Sequence, residues 1–235
     1  MPVVTIEGYL GSGYQTIGRS VAEKLGIDFV DRLILSKIAK EMDKHLAEIV
    51  DLQKKPEEKS FTERITDNLF KALEKSALSG GGADPFFGHG IENLLSSPYK
   101  DFPHNEDLAE NLDFSKAIKK VINEIAKQGS VLILGRGASG VLRNDNTALK
   151  VGIYCDFDVR IKKYAKREDI SDDEARNKIL EYDEGKKNYY LNIFQKQPLD
   201  PSIFNIIFNS ELLPEDEIID DICENAKKYL SKRSK

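Results

Sequence analysis

The chain opens on a short β-branched run, Val3-Val4-Thr5-Ile6, and its apolar positions resume at Ile17, Val21, Ala22 and Leu25. The first run has the length and residue types of a strand. The second recurs at i, i+4, i+5 and i+8, one face of a helix, and Gly26 stands where a C-cap would. Residues 27–30 predict a second short strand. Strand, loop, helix and strand in this order predict the start of a parallel α/β fold. Residues 32–52 read as helical through Leu33, Ile34, Ile38, Met42, Leu46 and Ile49, and Pro56 breaks the pattern. Helical spacing returns over 61–78. Ser79-Gly80-Gly81-Gly82-Ala83-Asp84-Pro85 then interrupts any regular element, and residues 86–103 carry little pattern. Residues 42–113 are therefore expected to be an inserted, mostly helical and partly mobile region.

Regular pattern resumes with a helix over 114–127, stopped at Gly129. Val131-Leu132-Ile133-Leu134 follows, apolar on both faces as a central parallel strand would be. Further strands are expected at 149–154 and 204–208, and helices at 158–166 and 214–230. Ser171-Asp172-Asp173-Glu174 reads as a capping box that opens one more helix. The series predicts one α/β domain over 1–235, a doubly wound parallel sheet flanked by helices.

Charge and composition narrow the function classes. With 35 Lys and Arg against 40 Asp and Glu, the net charge of −5 argues against a surface built to grip nucleic acid. No apolar run reaches the length of a membrane span, and nothing at the start reads as an export signal. The two cysteines, Cys155 and Cys223, do not form a disulfide framework. A cytoplasmic protein with no nucleic-acid or membrane partner is the expectation, and homo-oligomer formation stays open. His45, His89 and His104 are scattered, with no cysteine at metal-ligand spacing.

The chemistry concentrates in the segment Gly8-Tyr9-Leu10-Gly11-Ser12-Gly13-Tyr14-Gln15-Thr16, between the first strand and the first helix. Glycines admit positive φ and let backbone N–H groups turn inward, while a helix start adds N–H donors and a positive dipole end. Gly8-x4-Gly13 meets the glycine spacing of a phosphate-binding loop, or P-loop. Lysine and a hydroxyl residue should follow; here Tyr14 and Gln15 follow, and Thr16 comes one place later. The alternative reading is a tight turn that binds nothing.

Thr5-Ile6-Glu7-Gly8, Gly11-Ser12-Gly13, Thr16 and Ala22-Glu23-Lys24-Leu25-Gly26, followed by Asp31-Arg32-Leu33-Ile34, resemble the opening of the cytidylate-kinase-like proteins. The resemblance continues through Leu134-Gly135-Arg136-Gly137, the basic stretch Asp158 to Glu168, Asp183 with Lys186 and Tyr189-Tyr190, and Asn205 to Ser210 with Glu215. It covers residues 1–40 and 116–230. It implies a P-loop kinase core with a helical acceptor-binding insertion and a small lid at about 160–190. It implies transfer of the γ-phosphoryl group of ATP to a nucleoside monophosphate, with Mg²⁺ as cofactor and Thr16 as its nearest hydroxyl. Gly8, Gly11, Ser12, Gly13, Tyr14, Gln15 and Thr16 would hold the nucleotide. Asp31, Arg32, Lys37, Arg136, Asp183 and Lys186 would hold the acceptor.

Phosphoryl transfer depends on placing two anions in line and neutralising their charge. Arg136, at the end of a central strand, offers a bidentate fork for a phosphate, or alternatively a surface ion pair. Arg160, Lys163 and Arg167 share a helix face at i, i+3 and i+7, which would either close over the phosphates or stay solvated. Asp31 would orient its loop or cap the next helix. Tyr182, Tyr189 and Tyr190 would stack on a base or pack. The sequence departs from the cytidylate kinase pattern at Tyr14, which replaces the loop lysine, and at Gly137 and Leu134, which replace acids. Lys186 stands where an arginine is usual. These departures keep two alternatives in view: a catalytically impaired nucleotide-binding regulatory protein, and a phosphotransferase with a different acceptor.

Overall fold

A computed structural model describes residues 2–36, 99 and 108–233. The expected helices over 37–78, the Gly/Pro-rich segment and most of the insertion read at 42–113 lie outside the described residues, as does Lys37. Among the described residues, five strands form one sheet in the order β2-β3-β1-β4-β5. They are β1 (Val3–Gly8), β2 (Asp28–Val30), β3 (Val131–Leu134), β4 (Ala148–Tyr154) and β5 (Ile206–Asn209). Every pairing is parallel. β1 is central: Val3 is in register with Val131 on one side and Ala148 on the other. Its six residues are all buried, which explains a β-branched run without alternation.

Helices cover both faces of the sheet. α1 (Tyr14–Leu25) and α6 (Glu215–Arg233) pack on one face, where Ile17, Val21, Ile218 and Ile222 meet Val4, Ile6, Leu132 and Val151. α2 (Leu108–Gln128) packs on the other, where Ile118, Val121, Ile122 and Ile125 meet Val3, Val131 and Ile133. Successive residues of β3 thus feed opposite layers, as the period of a strand requires. α1 ends at Gly26, whose φ of 62° and N–H bonds to the Ala22 and Glu23 carbonyls make the C-cap the sequence predicts. α2 begins six residues before the expected position 114, inside the stretch read as insertion.

A short α3 (Ala138–Val141) follows β3. α4 (Phe157–Glu168) and α5 (Asp172–Phe194) come after β4 and share a small core of Ile161, Ala165, Ala175 and Ile179. The Ser171 hydroxyl accepts from the Glu174 N–H at 3.2 Å, the N-cap half of the expected box. α5 runs 23 residues, so the span read as a lid is a pair of helices. β5 begins two residues later than the expected position 204, because Pro201–Ile203 form a 3-10 turn. Among the described residues, no helix is long and apolar enough to cross a membrane.

Candidate active site

The loop after β1 is shaped by two glycines. Gly11 has φ 84° and Gly13 φ 81°, and Gly13 is the N-cap of α1 without a side-chain cap. A Cβ on Gly11 would sit 2.7 Å from the Arg160 carbonyl oxygen, so α4 abuts the loop there. A Cβ on Gly13 would sit 2.7 Å from the Glu215 Oε1. The backbone at both positions therefore favours glycine; a side chain at Gly11 would also meet backbone, whereas one at Gly13 would meet the end of a side chain that can turn away. The first-turn N–H groups of α1 have no partner inside their own helix. The Ser12 hydroxyl is fully buried and, among the described residues, makes no hydrogen bond. Backbone donors at a helix start and a buried orphan hydroxyl suit a phosphate group.

A second turn follows β3. Gly135, Arg136 and Gly137 have φ of 75°, 57° and 71°, three successive left-handed residues. For arginine that conformation costs about 1–2 kcal/mol, so surrounding contacts must hold it. The Arg136 N–H donates to the Tyr99 hydroxyl at 2.8 Å, and its carbonyl accepts from the Tyr189 hydroxyl at 2.7 Å. The guanidinium lies over the Tyr99 ring, 4.9 Å from its centroid. Strain held in place by buried hydrogen bonds is a feature of functional turns.

Both turns open into one cleft of about 540 Å³ at the carboxyl ends of β1, β2 and β3. Arg19, Arg32, Arg136 and Arg167 line it, with Asp31 as the acid among the lining residues. Asp31 Oδ1 accepts from the Leu33 and Ile34 N–H groups, capping the helical turn at 32–36. Tyr14, Gln15 and Thr16 line the same cleft, together with Phe29, Leu134 and Tyr182. The Tyr14 and Tyr182 hydroxyls meet at 3.0 Å. Arg167 donates to Gln15 Oε1 at 3.3 Å, tying α4 to the start of α1. A concave site rich in cations at strand carboxyl ends, where the chain switches direction across the sheet, is where open α/β sheets bind ligands.

Other residues singled out in the sequence turn elsewhere. Arg160 is buried and forms a two-pronged pair with Asp183, at 3.1 and 2.7 Å, while also donating to the Leu10 carbonyl. Lys163 donates to the Ser210 carbonyl at 2.8 Å. Of the expected face Arg160–Lys163–Arg167, therefore, only Arg167 reaches the cleft; the other two fasten α4 to its neighbours. Burial pushes the Asp183 carboxyl above its ordinary range more than Arg160 and Lys186 pull it down. Asp183 and Lys186 do not line the cleft. Lys186 is fully buried, 3.0 Å from Glu7 Oε2 and 2.7 Å from the Gly8 carbonyl. Sequence reading gave no role to Tyr99 or Phe29, although both line the cleft. Phe29 lies in the short β2, whose carboxyl end opens on the cleft; no local signal marks Tyr99.

A family model for the cytidylate kinase-like family matches residues 3–212. The chain belongs to the cytidylate kinase-like family. Similar proteins include the cytidylate kinase of Methanopyrus kandleri, 29% identical over 116 residues, covering 46% of this chain and 60% of that protein. The cytidylate kinase of Pyrococcus horikoshii is 38% identical over 87 residues, 37% of this chain and 44% of that one. A shikimate kinase of Azobacteroides pseudotrichonymphae is 31% identical over 93 residues, 38% of this chain and 52% of that protein. The chain thus spans between 44% and 60% of the length of these relatives. A solved structure of an uncharacterised protein from Eubacterium ventriosum shares the fold, with a TM-score of 0.58 at 17% identity over 97% of this chain and 98% of that one.

The tyrosines of this family member give a pH prediction. Burial, ahead of any charge, raises the phenols of Tyr99, Tyr189 and Tyr190 above the ordinary value. The folded chain then holds more protons than the unfolded one above about pH 10, so stability falls as pH rises past that point. Of the nine tyrosines, these three should ionise only as the protein unfolds. Ultraviolet titration should show their tyrosinate absorbance rising together with loss of circular dichroism. A smooth rise of all nine before any unfolding would contradict it.

Proposed function

We propose that this cytidylate kinase-like protein is an ATP-dependent phosphotransferase of the nucleotide-kinase type. The observation that carries the reading is the convergence of a glycine loop and four arginines, Arg19, Arg32, Arg136 and Arg167, on one cleft. On this reading the loop and the start of α1 hold the ATP phosphates. Arg136 grips the acceptor anion from the opposite wall, and Arg167 approaches from α4. Mg²⁺ would be held chiefly by phosphate oxygens and water, with the exposed Thr16 hydroxyl the nearest side-chain ligand. A nucleoside monophosphate would attack through an oxygen that is already ionised, so transfer to it calls for alignment and charge neutralisation rather than an acid–base pair. The test is ATP consumption with Mg²⁺ against a panel of nucleoside monophosphates and hydroxy acids. Stimulation by one acceptor supports the reading, and no turnover with any of them opposes it.

One observation favours an acceptor other than CMP. A Cβ on Gly137 would lie 2.5 Å from the Phe194 ring and 3.1 Å from that of Tyr189. The acid that would follow Arg136 in a cytidylate kinase has no room here. Leu134, also on the cleft wall, brings no polar group to a base. Some relatives of this chain are named shikimate kinases, so the panel includes a ring hydroxy acid. Gly137→Asp should lose about 1–3 kcal/mol through overpacking, seen as a melting temperature lower by roughly 2–4 °C per kcal/mol. An unchanged melting temperature would show that Phe194 yields easily and that the acid was not excluded.

A further inference from the structure

Tyr14 stands at the position where the loop spacing calls for lysine, yet a buried ammonium lies beside it. Lys186 reaches from the middle of α5 to the root of the loop and is fully buried. Its Nζ donates to the Gly8 carbonyl at 2.7 Å and to Glu7 Oε2 at 3.0 Å. The rings of Tyr99, Tyr14, Tyr190 and Tyr9 surround the ammonium, with centroids 5.4, 5.6, 5.7 and 5.9 Å away. A charge so enclosed has lost its water, and Glu7, the Gly8 carbonyl and the ring faces replace it. Gly8 is the first residue of the loop. Its carbonyl shares a planar peptide unit with the Tyr9 N–H, so fixing one fixes the other.

Residue 14 begins at the same place. A Cβ on Gly8 would lie 2.6 Å from the Tyr14 Cβ. A lysine at 14 would therefore start beside Gly8, with a four-carbon stem long enough to bring its ammonium back to the same carbonyl. Two ammonium ions would then share one buried carboxylate, and like charges in so dry a site disfavour each other. A cation from α5 and a cation from position 14 are alternatives.

We infer that Lys186 is the positioning residue that stands in for the missing loop lysine, holding the root of the phosphate loop from beneath while Tyr14 covers it. The inference rests on reading the loop as a phosphate site, and adds which side chain holds the first carbonyl of that loop in place. Lys186 touches no ligand in this arrangement. Its action on the phosphates runs through the Gly8–Tyr9 peptide that it holds in place. Removing Lys186 alone would strand Glu7 as a buried charge and endanger folding, so the informative variant neutralises both partners.

The experiment measures MgATP affinity by calorimetry and thermal unfolding for four proteins. These are the parent chain, Glu7→Gln/Lys186→Met, the same double variant with Tyr14→Lys, and Tyr14→Lys alone. The expected results are a cooperative melt for the double variant with ATP affinity at least tenfold weaker, and recovery of most of that loss when Tyr14→Lys is added. Tyr14→Lys alone should bring no gain. The inference is overturned if the double variant binds ATP like the parent, or if Tyr14→Lys raises affinity by the same factor in both backgrounds. Should the double variant fail to fold, a tenfold gain from Tyr14→Lys in the parent overturns it, and no gain supports it. A parent chain that binds no ATP removes the phosphate reading itself, an outcome distinct from a parent that binds while the variants make no difference.

Discussion

Gly13→Glu should abolish ATP binding, raising the dissociation constant on the order of 100-fold or more, equivalent to about 3 kcal/mol. Three effects act together at that position. The backbone φ of 81° disfavours any side chain. A Cβ would meet Glu215 Oε1 at 2.7 Å. The new carboxylate would enter the place where backbone N–H groups and the helix dipole favour an anion. Calorimetric titration of the variant measures the loss, and a circular dichroism spectrum like the parent's shows that the fold remains. Binding at the parent's affinity would mean that the loop holds no phosphate.

Arg136→Met should lower kcat/KM for the acceptor on the order of 10²–10³-fold, the usual effect of removing a positioned electrostatic stabiliser. The side chain is buried, and its backbone is pinned by the Tyr99 and Tyr189 hydroxyls, so the guanidinium is held ready before any ligand arrives. Methionine keeps much of the apolar stem and removes only the fork and the charge. Steady-state kinetics with varied acceptor at saturating ATP checks it. A kcat/KM within a few-fold of the parent would assign Arg136 to structure alone.

The pattern of the sequence carried the frame of this fold well. The run Val3–Ile6 and the run Val131–Leu134 are adjacent central strands, and neither alternates because helices bury both of their faces; the one polar side chain, Thr5, is buried with its hydroxyl bonded to that of Ser139. Gly26 and Ser171 end and begin helices where capping chemistry places them. The candidate site was legible only in part. The glycine loop and the Gly135-Arg136-Gly137 turn are contiguous in sequence, so their spacing exposes them. The destinations of Arg160 and Lys186 are not local properties. A helix face that reads as basic is partly used up by Asp183 and by the Leu10 and Ser210 carbonyls, partners 23, 150 and 47 residues away. Tyr99 sits in a stretch with no periodicity, and its bond to Arg136 depends wholly on the chain's path. The exclusion of an acid at Gly137 likewise comes from Phe194, which no spacing rule connects to it.

The most direct measurement is a calorimetric titration of the parent chain with MgATP, followed by competition with ADP and inorganic triphosphate. Saturable binding of one nucleotide per chain, displaced by both competitors, is expected if the loop and the cleft arginines recognise phosphates rather than a base. No binding at millimolar ATP, or binding that inorganic triphosphate leaves untouched, would contradict it.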